Sequence, residues 1–256
     1  MLTNFMLLSG NDIPFPEARI MIHQPRLKEI ALIGEQKFFL GCGLLNFSKE
    51  LLDKSDKVDL SNIDDFDILM KIMISGINEI DKESKEAVNA SFLVLTLLFP
   101  NYEINFLMDK GIELKRDNMC SYINSANFVI FKKLLSKIFG LSRFEGDKEF
   151  NPSGNFSKKI VEKLKKRHQQ LAEIKGSKKQ DVFGRYISIL AVGLGKSFET
   201  LFQYTIYQLY DEIQRFNLKR AYDAYFKAKL AGAQDLEDVQ DWEIDLEEVD
   251  KINKNK

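Results

Sequence analysis

The stretch AVGLGKSFE, residues 191–199, decides between two kinds of fold. As a phosphate-binding loop it would place the chain among α/β nucleotide-binding proteins. As a glycine bend it would join two helices. A phosphate loop needs glycine, four residues, then Gly-Lys-Ser or Gly-Lys-Thr, so that backbone N–H groups ring the phosphates at a helix N-terminus. With Gly195 as the second glycine, the first belongs where Leu190 stands. Gly193 comes too late, and so does Ala191. A shortened loop cannot close the same ring of amides, and leucine lacks glycine's backbone freedom. The stretch therefore reads as a bend. Ser197 caps the helix that follows, Glu199 and Thr200 occupy its first turn, and Lys196 is surface charge. A phosphate-loop-like nucleotide site on Gly195, Lys196 and Ser197 is kept as an alternative.

Beyond the bend, Phe198, Leu201, Phe202, Thr205, Leu209, Ile213 and Phe216 recur at helical spacing and predict a long apolar seam. Tyr204, Tyr207, Tyr210, Tyr222 and Tyr225 share these segments and suit core or partner contact. Residues 181–234 thus read as a helical C-terminal region. Residues 235–256 follow as an acidic tail, with nine Asp or Glu and no Lys or Arg between 235 and 250. Trp242, Ile244, Leu246 and Val249 interrupt those acids, which predicts an amphipathic segment able to lay its tryptophan in a groove.

Before the bend, residues 145–180 hold a Gly/Pro-rich linker and then a basic helix. Nine Lys or Arg fall between 158 and 179 against two acids, with only a narrow apolar stripe, so the helix should be exposed. Residues 1–144 read as a helical domain. Leu27, Ile30, Ala31, Gly34, Phe38 and Leu45 keep one helical spacing. Phe66, Leu69, Met70, Met73 and Ile74 form another apolar face, with Ser61 and Asp64 as caps. A third helix stops at Pro100, and a fourth carries Phe128, Phe131, Leu134, Leu135, Ile138 and Phe139. Between these two, alternating runs around Asp109-Lys110-Gly111 predict the one clear β-hairpin, near 102–115. The expected fold is mainly α.

Composition excludes several classes of function. At 256 residues and 45% hydrophobic, the chain can bury a substantial core. Lys plus Arg number 37 against 38 Asp plus Glu, so overall charge does not point to nucleic acid or a membrane surface. The apolar run at 92–99 is too short to span a bilayer, and the N-terminus lacks the pattern of a signal peptide. Cys42 and Cys120 lie far apart and read as small buried hydrophobes in a reducing, cytoplasmic-type compartment. His23 and His168 are isolated, and Asp64, Asp65 and Asp67 read as helix N-terminal acids rather than metal ligands. No catalytic constellation, metal site or cofactor is expected. The basic helix reads as a solvated face, or as one that meets the acidic tail or a neighbouring copy, rather than as a nucleic-acid site.

Several segments together carry a resemblance. They are QPRLKEIALIGEQKFF, LTLLFPNYEINF with GIEL, INSANFVIFKKLLSKIFGL, and ISILAVGLGKSFETLFQYTIYQLYDEIQRF with AKLAGAQDLEDVQDWEIDL. In this order the chain resembles the tail assembly chaperones of tailed bacteriophages. The resemblance implies a non-enzymatic protein of the host cytoplasm that binds the long helical tape measure protein. It would keep that client soluble during tail assembly and be absent from the finished virion. Candidate contacts are Phe198, Phe202, Tyr207, Tyr210 and Trp242, with self-association through the basic helix and acidic tail. The alternative is a phage structural or interaction protein retained in the particle.

Overall fold

Side chains that alternate inward and outward make the first sheet. The computed structural model describes residues 2–47, 64–75, 82–140, 181–232, 241–244 and 246. After α1 (Asn4–Ser9), strands β1 (Ile13–Phe15) and β2 (Ile20–Ile22) pair antiparallel, with Ile13 opposite Ile22 and Phe15 opposite Ile20. Those four side chains are buried, while Pro14 and Met21 face outward. The His23 amide then donates to the Leu98 carbonyl at 2.9 Å, which ties this ribbon to the end of α5 (Lys82–Leu98).

The helix expected from the spacing of Leu27 to Leu45 is broken. Gly34, at φ +88°, separates α2 (Leu27–Ile33) from α3 (Glu35–Leu45). A φ in that range favours glycine, so the residue placed on the apolar face is in fact the joint. The core gathers around α3 and α5, α4 (Asp65–Ser75) and α6 (Ser125–Ile138), where buried Phe38, Leu69, Val94, Phe131 and Leu135 belong to one apolar cluster. Phe66, Leu69, Met70 and Met73 of α4 are buried, as their spacing predicts. Asp65 and Asp67 stand in the first turn of α4, and the Lys132 ammonium lies 2.8 Å from the Asp65 carboxylate. Ser61 lies outside the described residues.

The fold is mainly α, as expected, but its strand content exceeds one hairpin. Besides the β1–β2 ribbon, β3 (Glu103–Leu107), β4 (Gly111–Arg116) and β5 (Met119–Ile123) form an antiparallel meander. The predicted hairpin is its first half. Gly111 has φ +100°, and a Cβ there would stand 2.3 Å from the Ile123 carbonyl oxygen, so only glycine fits. The second turn uses Asp117 at φ 53° and Asn118, residues that tolerate left-handed backbone. Asn124 then caps α6: its amide donates to Asn127 Oδ1 at 2.9 Å, and its own side chain accepts from the Ala126 amide. Of the two cysteines, Cys42 is buried but Cys120, on β5, is exposed.

The C-terminal helices share the same core. They are α7 (Val182–Leu194), α8 (Phe198–Phe202) and α9 (Ile206–Leu230). Phe183 of α7 packs on Phe39 at 5.1 Å between ring centroids, and Phe38 meets Phe139 of the α6 end edge-on, also at 5.1 Å. The Leu27 amide donates to the Tyr204 carbonyl at 2.8 Å, and Gln208 donates to the Leu8 carbonyl at 2.7 Å. The linker and basic helix placed at 145–180, including His168, lie outside the described residues.

Candidate partner interface

The bend at 191–199 is a helix–glycine–helix junction. Residues 182–194 are helical, so the strand that would precede a phosphate loop is a helix here. Gly195 ends α7 at φ +67°, and the Ser197 hydroxyl accepts from the Thr200 amide at 3.2 Å, the cap expected from sequence. Two details differ from the expectation. Ser197 starts only the short α8; the TIYQLYD helix has its own capping box, in which Thr205 and Gln208 exchange backbone-to-side-chain bonds. Lys196 is not free surface charge: its ammonium donates to the Tyr204 hydroxyl at 2.5 Å and to the Glu212 carboxylate. Burial is the largest single influence and works against that charge, but Glu212 and Tyr204 together outweigh it and hold the ammonium above its ordinary value.

The predicted contact residues fall in four settings. Tyr207 is 4% exposed and Tyr210 is buried beside Phe183 and Tyr186, so both belong to the core. Phe202 lines a cleft of about 880 Å³ between α2–α3 and α7, with Leu27, Ile30 and Ile187. Phe198, at the start of α8, is 57% exposed. Trp242 lines a second cleft, of about 430 Å³, with Leu8, Leu194, Arg215, Phe216 and Lys219. Leu194, Phe216 and Lys219 also border a third, of about 710 Å³, floored by Ile189 and Val192. The second and third clefts therefore adjoin along one face of α7 and α9.

That α7–α9 face was not among the sequence-predicted contacts. Val192 is 87% exposed, and Ile189 and Leu194 are also open to solvent. The signal was present: α7 is apolar nearly all round, and such a helix must bury a second face or leave it available. Among the described residues the distal part of α9, outside the Trp242 cleft, is similarly open. Its buried residues end at Ile213, and from there to Leu230, itself 83% exposed, no side chain is buried.

A second unpredicted feature joins Glu35 to the start of α7. The Glu35 carboxylate accepts from the Val182 amide at 2.8 Å and the Phe183 amide at 3.3 Å, while Asp181 caps the helix through the Gly184 amide at 2.7 Å. Burial, then the Asp181 carboxyl beside it, pushes the Glu35 carboxyl from 4.5 up to about 7, although the two amides pull the other way. Asp181 moves down, chiefly because protonated Glu35 donates to it. Among the described residues no group of three His, Cys, Asp or Glu side chains is placed to hold a metal, and no helix is long and apolar enough to cross a membrane.

Comparison with known proteins reaches this region alone. Residues 177–244 match a family model described as the YomV second domain, a phage-derived family. The match covers α7, α8, α9 and Trp242, about a quarter of the chain, and is consistent with a phage protein. No curated protein matches the chain, and no solved structure does.

Proposed function

We propose that this protein is a phage tail assembly chaperone that binds the tape measure protein and keeps it soluble in the host cytoplasm while the tail forms. The observation that carries the reading is the open apolar face of α7 and α9, with Ile189, Val192 and Leu194 beside the Trp242 cleft. A face left open in this way among the described residues is suited to receive an apolar stripe from another helix. A long helical client exposes many such stripes and would aggregate without a cover. Many copies along one client would hold it by avidity, so no single contact need be tight. The resemblance of segments over most of the chain to tail assembly chaperones supports the same reading, and the family match at 177–244 is consistent with a phage protein. The role is one of binding, not catalysis.

The test is co-expression with the tape measure protein. The client should be recovered in the soluble fraction only when this chain accompanies it, and purified virions should contain the client without the chaperone. A client soluble on its own would remove the proposed role. Finding this chain in stoichiometric amount in virions would favour a structural protein retained in the particle.

A further inference from the structure

The distal groove of α9 is already occupied by the chain's own acidic segment. Arg215 Nη1 donates to the carbonyls of Trp242 at 3.3 Å and Ile244 at 3.4 Å. The Lys219 ammonium lies 5.7 Å from the centre of the Trp242 ring, a cation–π distance. Leu246 is 3% exposed although it stands outside the main apolar cluster. Two carbonyls and an indole thus meet two cations, each also paired with an acid of its own helix (Arg215 with Asp211, Lys219 with Asp223), and the Phe216–Leu194 wall. The indole is the side chain that the groove engages, and every copy of the chain carries one.

We propose that the groove is a self-recognition site, and that its second occupant is the Trp242 segment of another copy. The covalent path permits it. Between Gly232 and Asp241 the backbone can reach at most about 30 Å. Lys219 stands eleven residues before Leu230, only about 16 Å back along the helix. The path that lets the segment double back onto its own α9 can therefore span to an adjacent one. The contacts are the same within one chain or between two, so the balance rests on concentration. A tether of this length sets an effective concentration on the order of 1 mM. Dilute chains therefore keep their own segment, and crowded chains exchange it. Exchange would link neighbours in a row where copies line a long client, a consequence that rests on the chaperone reading. The exchange itself does not.

Two full-length variants test it without any client. Trp242→Ala empties the groove and makes an acceptor. Lys219→Glu combined with Arg215→Gln disables the groove and leaves the segment intact, which makes a donor. Mixed at about 100 µM, donor and acceptor should form a complex by analytical ultracentrifugation, while each alone stays monomeric. Because Trp242 is the chain's one tryptophan, the donor's emission should also shift on mixing. Wild type should self-associate at least about tenfold more weakly than the mixed pair, since its own segment competes. Circular dichroism establishes that both variants are folded. A fluorescently labelled peptide of residues 239–250 gives a second measurement. It should bind the acceptor saturably, and a Lys219→Glu change in the acceptor should weaken it about tenfold or more. Folded donor and acceptor that stay apart, or peptide binding indifferent to Lys219, would overturn the proposal.

Discussion

A Cβ added to Gly41 would stand 2.4 Å from the carbonyl oxygen of Ala90. Helices α3 and α5 thus cross backbone to backbone, and the Ser91 hydroxyl, which donates to the Ala87 carbonyl at 2.9 Å, lies at the same crossing. Backbone atoms cannot swing aside as a side-chain tip can, so the fit depends on a missing methyl.

Gly41→Ala should therefore destabilise the protein although alanine is the better helix former. Overpacking against backbone costs about 3 kcal/mol, the upper end of its usual range, and helix propensity returns about 1 kcal/mol, so a net loss of about 2 kcal/mol is expected. In a thermal melt that is a fall of several degrees. Gly193→Ala is the comparison: its Cβ would meet the tip of the Phe216 ring at 2.3 Å, and a ring bordering an open cleft can turn. Its loss should be the smaller of the two. Equal losses would show that the α3–α5 crossing can relax.

The Glu35–Asp181 pair should give stability a measurable pH dependence. The Glu35 carboxyl titrates at about 7 when folded and near 4.5 when unfolded, so between those values the folded chain holds a proton that the unfolded chain releases. Its contribution is full below the lower value and is lost as pH rises through the upper one. Asp181 acts oppositely, its contribution lost only as pH falls below the ordinary aspartate range. Glu35→Gln keeps a donor for Asp181 but does not titrate. Urea midpoints measured from about pH 5 to 8 should fall in wild type relative to this variant, and parallel curves would refute the assignment.

Lys196→Met should lose on the order of 1 kcal/mol, because it strands the partly buried Glu212 carboxylate at the α7–α8 bend. A titration with ATP should show no saturable, lysine-dependent binding in wild type. Tight binding lost in the variant would restore the nucleotide-loop reading.

Val192→Ser and Phe198→Ser should leave the melting temperature unchanged, since both side chains are largely in solvent. If the α7–α9 face receives the client, Val192→Ser should weaken client solubilisation by about tenfold or more, and Phe198→Ser should do so only if the client also reaches α8. Tyr210→Ala should instead unfold the protein, losing about 3 kcal/mol or more through an emptied core site.

Much of the local structure was legible in short sequence signals with a direct backbone cause. Ser197 is a cap because a side-chain oxygen can take an orphan helix amide. Gly111 ends the first turn of the meander because its φ is closed to other residues. The second turn was missed, although Asp117-Asn118 is itself a turn pair, because the run after it is short and half exposed. The break at Gly34 was missed because a helical glycine and a joint look alike when apolar spacing continues past them.

The candidate surface was only partly legible. Spacing alone identified an apolar seam from Phe198 to Phe216 and, with it, the aromatic side chains of α9. It could not say that Tyr207 and Tyr210 would face the core while Phe198 and Val192 faced solvent. An amphipathic stripe identifies which side of a helix is apolar, but whether that side is covered depends on elements far away in the chain. Here α1, α2 and the Phe38–Phe39 pair cover the first turns of α9 and the start of α7, the Trp242 segment lies against Arg215 and Lys219, and among the described residues Ile189 and Val192 stay open. The pairing of Glu35 with the first amides of α7 is likewise an event across the whole chain, invisible at either position. Local chemistry thus determined where this protein bends and caps, because those preferences act within a few residues. Tertiary packing alone decided which apolar residues became core and which became surface, because burial is a property of the assembled whole.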